Sequence, residues 1–287
     1  MTLVLVELGL RLALGNLDIA PFVLDPGDGR CVGLEPGGES TYNGTVLRIP
    51  PVVHAVNEHG YRGPARPPAR TDEVLRIVAL GDSFTFGQGV AAEHALPSQL
   101  ETLLQDRRGD GTVEVLNFGV PGYNLRESTE QYLYFARRWQ PDLVVLFLFE
   151  NDLDKPLCDI IGRRAFMAAF RRVRLFRIAV VALAPEQLGA PNPHSSPERI
   201  AALERQLAAL ERAVSEDGAR LLVVSIADPL DDAAATRAIT AELELPALVF
   251  ERERFEALEV IPNETHWTAE ANASAAAQIA AWLEPRL

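Results

Sequence analysis

Five apolar runs, separated by segments of helical character, constrain the fold of this 287-residue chain more than any other feature. Each run is continuously apolar rather than alternating, which is the pattern of a parallel strand covered on both faces. The predicted strands lie at 75–80, 113–118, 143–149, 220–226 and 247–250. Helices are predicted at 94–105, 125–138, 197–215 and 269–283. This alternation predicts an α/β fold of three layers, α/β/α, with helices on both faces of a parallel sheet of about five strands.

The first 70 residues differ from the rest because Pro and Gly interrupt them repeatedly. The motifs DPGDG, EPGG, IPP and ARPP predict an irregular N-terminal extension, within which VVHAVNEHGYRG at 52–63 predicts a short strand and a turn. Residues 1–15 are apolar but contain Glu7 and Arg11, and the run is too short to span a bilayer. They predict a helix that lies in a membrane interface or packs on the protein. We therefore expect residues 1–70 to form an N-terminal helix and an irregular extension, packed on a domain of residues 71–287.

The charge balance excludes one class of partner. With 27 basic and 40 acidic residues, the formal net charge is -13, which would repel a phosphate backbone, so nucleic acid is not an expected partner. Residues 163–183 contain six arginines and no acidic residue. They predict a lid or surface helix, with contact to a membrane surface or an anionic substrate as the alternative. The compartment stays open between the cell envelope, a membrane association and the cytoplasm.

Cysteines and cofactor motifs are sparse. Cys31 and Cys158 are too few for a disulfide framework and have no CxxC spacing, so we expect two separate thiols, with a single disulfide as the alternative. No P-loop, HExxH or paired-cysteine motif occurs, so neither a cofactor nor a metal is expected. The segment GQGVAA at 87–92 mimics a dinucleotide-binding motif, but its glycines fall several residues beyond the strand end.

Chemistry-bearing residues follow three of the predicted strands. Ligands of parallel α/β sheets bind outside the carboxyl ends of the strands. The first strand is followed by GDSFTFG, which places Ser83 in a tight turn before a helix, although its hydroxyl needs a base and donors for an oxyanion. The second strand ends in the motif NFGVPGYN, in which the backbone at Gly122 can approach a substrate. The third ends in the motif FEND, in which the Asn151 amide can donate to an oxyanion without carrying charge.

The candidate base comes from the other end of the chain. The segment ETHW precedes the last predicted helix, so a loop can return His266 to the strand ends. Glu264 stands two residues earlier, where a carboxylate could hold the imidazole tautomer and stabilise the imidazolium. Asp82 is expected to brace the turn and Trp267 to pack in the core. The remaining histidines have no partner pattern and are expected to be structural or solvated: His54, His59, His94 and His194.

The four motifs GDSFTFG, NFGVPGYN, FEND and ETHW resemble the sequence blocks of the SGNH (GDSL-like) hydrolases, in the family's order. The resemblance implies a flavodoxin-like sheet and a serine esterase that works through an acyl-enzyme without a cofactor. It implies Ser83 as nucleophile, His266 as base, and an oxyanion hole of the Ser83 N–H, the Gly122 N–H and the Asn151 amide. The family's aspartate stands three or two residues before the histidine, where this chain has Asn263 and Glu264. We predict Glu264 as the acid, with Asn263 or a backbone carbonyl as the alternative.

The substrate class also comes from the resemblance. It implies hydrolysis of an O-acyl or O-acetyl ester on a carbohydrate or a glycosylated small molecule, and lipid esters if residues 163–183 meet a membrane. The same residues would serve acyl transfer to a sugar hydroxyl. A non-catalytic glycan-binding or assembly protein is the alternative from another class: a Glu264 carboxylate that points away from His266 would favour it, and a hydrogen bond between the two would count against it.

Overall fold

The computed structural model describes residues 20–44, 49–69, 71, 73–154, 156–157, 196–262 and 264–287. The predictions for residues 1–15, residues 163–183, His194 and Asn263 lie outside the described residues. In the part described, no helix is both long enough and apolar enough to cross a membrane.

The elements run in the following order. The strands are β1 (Phe22–Leu24), β2 (Val32–Leu34), β3 (Glu39–Tyr42), β4 (Val52–Ala55), β5 (Leu75–Leu80), β6 (Val113–Asn117), β7 (Leu143–Leu148), β8 (Arg220–Ser225) and β9 (Ala247–Val249). The helices are α1 (Ser83–Phe86), α2 (Leu96–Arg108), α3 (Leu125–Tyr134), α4 (Pro197–Glu216), α5 (Ala233–Glu242), α6 (Arg252–Glu256) and α7 (Ala269–Leu283). Short 3₁₀ turns lie at Ala92–His94, Ala136–Trp139 and Glu284–Arg286.

The central sheet has five parallel strands in the order β6-β5-β7-β8-β9. Successive side chains of a strand point to opposite faces, so Val78 and Leu80 pack with the helices of one layer while Ile77 and Ala79 pack with the other. The first layer contains α3 and α4, and the second contains α2 and α7. The predicted three-layer α/β/α fold is confirmed.

The apolar runs located the strands well. All five predicted strands are confirmed, and each begins at the predicted residue. The helix α7 has the predicted bounds, whereas the helix predicted at 125–138 ends at Tyr134 and continues as a 3₁₀ turn. The helices α1, α5 and α6 were not predicted.

The N-terminal extension contains two antiparallel hairpins. One pairs β1 with β2, and the other pairs β3 with β4, which confirms the strand predicted near residue 52. The extension meets the sheet where Arg62 forms a backbone bridge to Asn117 at the end of β6. Cys31 is disulfide-bonded, so the expectation of two separate thiols was wrong.

Candidate active site

Ser83 is the first residue of α1, directly beyond the buried strand β5. The Asp82 carboxylate caps this helix by accepting from the Phe84 N–H at 3.0 Å, so Asp82 braces the turn as expected. Gly81 has a φ of +152°, and a Cβ there would lie 2.3 Å from Thr85 Oγ1 and 3.0 Å from the Phe147 carbonyl oxygen. Only glycine fits this position, and the tight turn leaves Ser83 9% exposed at the sheet edge.

His266 and Glu264 reach Ser83 from the loop before α7. Ser83 Oγ lies 2.8 Å from His266 Nε2, and Glu264 Oε1 lies 2.9 Å from His266 Nδ1. The loop is closed by two backbone bonds, from the Ile261 N–H to the His266 carbonyl at 2.8 Å and from the Glu264 N–H to the Ile261 carbonyl at 2.9 Å. The structure therefore brings the predicted serine, histidine and glutamate into one hydrogen-bonded line.

The geometry selects a histidine tautomer. A carboxylate only accepts hydrogen bonds, so the proton of neutral His266 lies on Nδ1, facing Glu264. The lone pair of Nε2 then faces the Ser83 hydroxyl, which is the arrangement that a general base requires. The side chains of His266 and Glu264 are only 12% and 3% exposed, so their interaction is little screened by water.

Backbone donors at two predicted positions are available to a ligand. Within the described residues, the N–H groups of Ser83 and Gly122 donate no hydrogen bond. The loop of Gly122 is attached to the turn that carries Ser83, because the Val120 N–H donates to the Gly81 carbonyl at 3.0 Å. It also passes so close to α1 that a Cβ on Gly119 would lie 2.5 Å from the Phe86 nitrogen. Gly122 itself is exposed and has a φ of +83°.

Asn151 follows β7, the neighbour of β5 on the side opposite β6. It is half-buried, and its Oδ1 atom is buried without a hydrogen-bond partner among the described residues. A hydrogen bond from its side chain is one of the influences that lower the pKa of Asp82. Asn151 thus lies beside the turn of Ser83, with its side chain close to Asp82.

Two buried carboxyl groups lie beneath the site. Burial raises the pKa of Asp82 to about 6, against the opposing effects of the Phe84 N–H and of His266. Burial also raises the pKa of Asp152 well above its usual value, and the neighbouring Asp82 raises it further. The Asp152 carboxyl accepts from the Phe149 N–H, and the Asp152 carbonyl accepts from the N–H of Leu125 at the start of α3. Asp152 therefore fixes the loop that carries Asn151.

Sequence reasoning missed two residues of this network. The Tyr42 hydroxyl donates to Glu264 Oε2 at 2.8 Å, and Gln88 Nε2 donates to the Tyr42 oxygen at 2.9 Å. Tyr42 belongs to β3 of the extension, 222 positions before Glu264, and no motif marks it. Trp267 is 1% exposed and packs in the core, as expected, and His54 is fully buried against Tyr42.

A family model supports the same interpretation. The GDSL-like lipase/acylhydrolase family matches residues 79–241, which is more than half of the chain. The matched segment contains Ser83, Gly122 and Asn151, and it ends before the loop of Glu264 and His266. Comparison with curated protein sequences gave no match.

Solved structures share the fold. TesA is 16% identical, with a TM-score of 0.51 over 74% of this chain and 99% of its own. A protein of the G-D-S-L family from Desulfitobacterium hafniense DCB-2 is 12% identical, with a TM-score of 0.45 over 73% of this chain and 99% of its own. The SGNH-hydrolase family esterase AlinE4 is 15% identical, with a TM-score of 0.44 over 76% of this chain and 99% of its own. At 16% identity, the likeness to TesA shows that the two proteins share a fold.

Proposed function

This chain belongs to the GDSL-like lipase/acylhydrolase family and is an ester hydrolase, and from that premise we propose that it acts through an acyl-serine intermediate on Ser83. The observation that carries the proposal is the line from Ser83 Oγ to His266 Nε2 at 2.8 Å and from His266 Nδ1 to Glu264 at 2.9 Å. A serine hydroxyl held against a histidine that a carboxylate orients is the arrangement that activates serine in acyl transfer.

In the first half-reaction, Ser83 Oγ bonds to the ester carbonyl carbon while its proton moves to His266 Nε2. The Glu264 carboxylate stabilises the imidazolium, and the negative charge on the carbonyl oxygen is stabilised by the Ser83 N–H, the Gly122 N–H and the Asn151 amide. His266 then gives its proton to the alcohol oxygen as the C–O bond breaks. In the second half-reaction, water bonds to the acyl carbon, passes a proton to His266, and the acid leaves as Ser83 regains that proton.

For the substrate, we propose an O-acyl or O-acetyl ester on a carbohydrate or a glycosylated small molecule. A cavity of about 360 Å³ lies beyond the carboxyl ends of β7, β8 and β9, and it is lined by Glu150, the residue that precedes Asn151 in the chain. Phe255 lines it and packs on Phe84, whose ring centroid lies 5.1 Å from that of His266. Carboxylates accept hydrogen bonds from hydroxyl groups, which favours a sugar over an acyl chain in this cavity. The carboxylates are Glu150, Asp228, Asp231, Glu251, Glu253 and Glu256.

The contact between Glu264 and His266 counts against the non-catalytic alternative. A glycan-binding protein that had lost a working acid would not need a carboxylate that is 3% exposed and bonded to the imidazole. Acyl transfer to a sugar hydroxyl uses the same residues, so it becomes an outcome of the experiment rather than a separate proposal.

The experiment combines labelling with turnover. The wild-type protein should bind a fluorophosphonate probe covalently and hydrolyse p-nitrophenyl acetate, and Ser83→Ala should abolish both. Ser215→Ala, which changes an exposed serine of α4, is the matched control and should change neither. Asn151→Ala should lower turnover on the order of 10²-fold to 10³-fold, the effect of removing one oxyanion donor. A Ser83→Ala protein with full activity would refute the proposal.

The substrate class is tested with matched esters. Acetylated oligosaccharides should compete with the fluorophosphonate probe better than glycerol esters of long-chain acids. Release of free acetate identifies hydrolysis, and an acylated sugar formed with an added sugar acceptor identifies transfer.

A further inference from the structure

The Glu264 carboxylate is held from two sides. One oxygen, Oε1, lies 2.9 Å from His266 Nδ1, and the other, Oε2, accepts from the Tyr42 hydroxyl at 2.8 Å. The Glu264 side chain is 3% exposed. The Thr265 N–H adds a longer bond to Oε1, at 3.3 Å, whereas Oε2 is held by Tyr42, and together these bonds fix the orientation of the carboxylate plane toward the imidazole.

The direction of the Tyr42 hydroxyl is also fixed. Its oxygen accepts from Gln88 Nε2 at 2.9 Å, so its own proton is left to point at Glu264. Gln88 is 4% exposed, and its backbone N–H donates to the Ser83 carbonyl at 3.0 Å. The network that starts at the Ser83 hydroxyl thus returns to the backbone of Ser83.

The packing of the Tyr42 ring fixes the position of its hydroxyl oxygen. Tyr42 is fully buried and is paired with Val52 across the hairpin of β3 and β4. Its ring stacks on His54 with centroids 5.1 Å apart and planes at 20°. His54 Nε2 in turn accepts from the Gly89 N–H at 3.1 Å, which attaches the hairpin to the segment that follows Gln88.

A second contact attaches the extension to the nucleophile helix independently of Tyr42. The buried guanidinium of Arg62 donates to the carbonyl oxygens of Phe86 and Gly87 at 2.6 Å each and to that of Val90 at 2.7 Å. The hairpin that carries Tyr42 and the segment that carries Ser83 therefore form one packed unit, and loss of the Tyr42 hydroxyl alone leaves this attachment intact.

These contacts restrict the conformers of the Glu264 side chain. Glutamate has one more rotatable bond than aspartate, so more of its conformers point away from a histidine two residues along the chain. A neutral hydroxyl can restrict them without neutralising the charge that stabilises the imidazolium. We infer that Tyr42 is a positioning residue for the reaction: its hydroxyl holds Glu264 against His266, so the N-terminal extension completes the active site. This inference rests on the proposed function.

Tyr42→Phe tests the inference because it removes the hydroxyl and keeps the ring on His54. We expect kcat for p-nitrophenyl acetate to fall about 10-fold to 100-fold with KM unchanged, the effect of losing one hydrogen bond to a charged group. The matched control is Tyr61→Phe, which also removes a buried tyrosine hydroxyl from the extension, one bonded to Pro64 and Arg66. It should leave kcat unchanged.

A double-mutant cycle separates positioning from general damage. Because Tyr42 acts through Glu264, Tyr42→Phe should not lower kcat further in a Glu264→Gln protein. Equal losses in both backgrounds would overturn the inference. If Tyr42→Phe does not fold, Gln88→Leu carries the same test, because it leaves Tyr42 in place and removes the group that directs its hydroxyl.

A measurement that needs no substrate distinguishes the role of Tyr42 from the proposed function. The His266 Nδ1 proton shared with Glu264 should give a far-downfield proton resonance that Tyr42→Phe broadens or removes and that Tyr61→Phe preserves. A wild-type protein without activity, in which Tyr42→Phe still changes this resonance, would refute only the proposed function. An active protein whose kcat and resonance both survive Tyr42→Phe would refute only the role of Tyr42.

Discussion

The sharpest prediction concerns the replacement Glu264→Gln, which keeps the shape of the side chain and removes its charge. In the native network the Tyr42 hydroxyl donates to Oε2, and Gln88 keeps it in that direction. An oxygen is therefore required at the Oε2 position. The Thr265 N–H also donates to Oε1, but at 3.3 Å against 2.8 Å for the Tyr42 bond, so we expect the amide nitrogen of the replacement at the position of Oε1, where it faces His266 Nδ1.

This orientation predicts a loss far larger than that of a single neutral hydrogen bond. With an N–H group at Oε1, His266 Nδ1 must accept, so the imidazole proton moves to Nε2 and points at the Ser83 hydroxyl. The histidine can then no longer take the serine proton. The imidazolium also loses its counter-charge. We expect kcat to fall on the order of 10³-fold to 10⁴-fold, the scale of the same tautomer error in a serine protease.

The assay is hydrolysis of p-nitrophenyl acetate at pH 7 to 8, with the thermal unfolding midpoint measured in parallel. Glu259→Gln is the matched control, because it makes the same change in an exposed glutamate of the same loop and should leave kcat unchanged. The tautomer argument would be refuted by a folded Glu264→Gln protein that keeps more than about a tenth of the wild-type kcat, a loss of less than 1.4 kcal/mol.

Three further predictions concern stability. Gly119→Ala should lower the free energy of unfolding by about 1 to 3 kcal/mol in urea titrations, because its Cβ would lie 2.5 Å from the Phe86 nitrogen; unchanged stability would contradict this close approach. Burial raises the pKa of Asp82 from 3.8 to about 6. Between these two pH values the folded protein holds a proton that the unfolded chain has lost, so the free energy of unfolding should fall by roughly 2 to 3 kcal/mol as the pH rises from about 4 to about 6. Asp82→Asn keeps an oxygen for the Phe84 N–H and should flatten this slope in urea titrations between pH 4 and pH 6; an unchanged slope would assign it to other groups. Arg62→Lys should lower the free energy of unfolding by about 2 to 4 kcal/mol, because a lysine cannot reach all three carbonyl oxygens, and an unchanged melting temperature would refute the argument.

The central sheet was predictable because burial on both faces leaves a continuous apolar run in the sequence. The run at 143–148 is buried at every position, and its first residue is also the first residue of β7. The positions of Ser83, Gly122 and Asn151 followed from the same runs, since loops at the carboxyl ends of neighbouring parallel strands meet at one edge. Glu264 was predictable because it stands two residues before His266.

The helices that were not predicted lack the periodic apolar pattern from which the other helices were predicted. The helices α1 and α6 have four and five residues, too few to show a period of 3.6. In α5, alanine fills much of the helix and only Thr236, Ile239 and Thr240 are buried, so no apolar stripe marks its inner face. The Asp232 cap, which accepts from two N–H groups, was the one local sign of its start.

Tyr42 could not be found from the sequence for a different reason. Its place depends on the register of β3 with β4 and on the attachment through Arg62, neither of which leaves a periodic pattern. A tyrosine in a Pro- and Gly-rich segment has no feature that separates it from one that merely packs. Glu264, which accepts the hydrogen bond from its hydroxyl, lies 222 positions later in the chain.

The hydrogen bonds of the site close into a ring, and this ring supports the proposal that Glu264 serves as the acid for His266. From Ser83 the ring runs through His266, Glu264, Tyr42 and Gln88, and the Gln88 N–H returns to the Ser83 carbonyl. In an open chain of hydrogen bonds, rotation of the longer glutamate side chain would also change the orientation of the imidazole that is bonded to it. In a closed ring, the carboxylate is connected through Tyr42 and Gln88 to the backbone of Ser83, so a displacement of the carboxylate must strain a bond on each side. The family-matched segment supplies Ser83 and Gln88, the C-terminal loop supplies the proposed base and acid, and the extension supplies Tyr42, which joins Glu264 to Gln88.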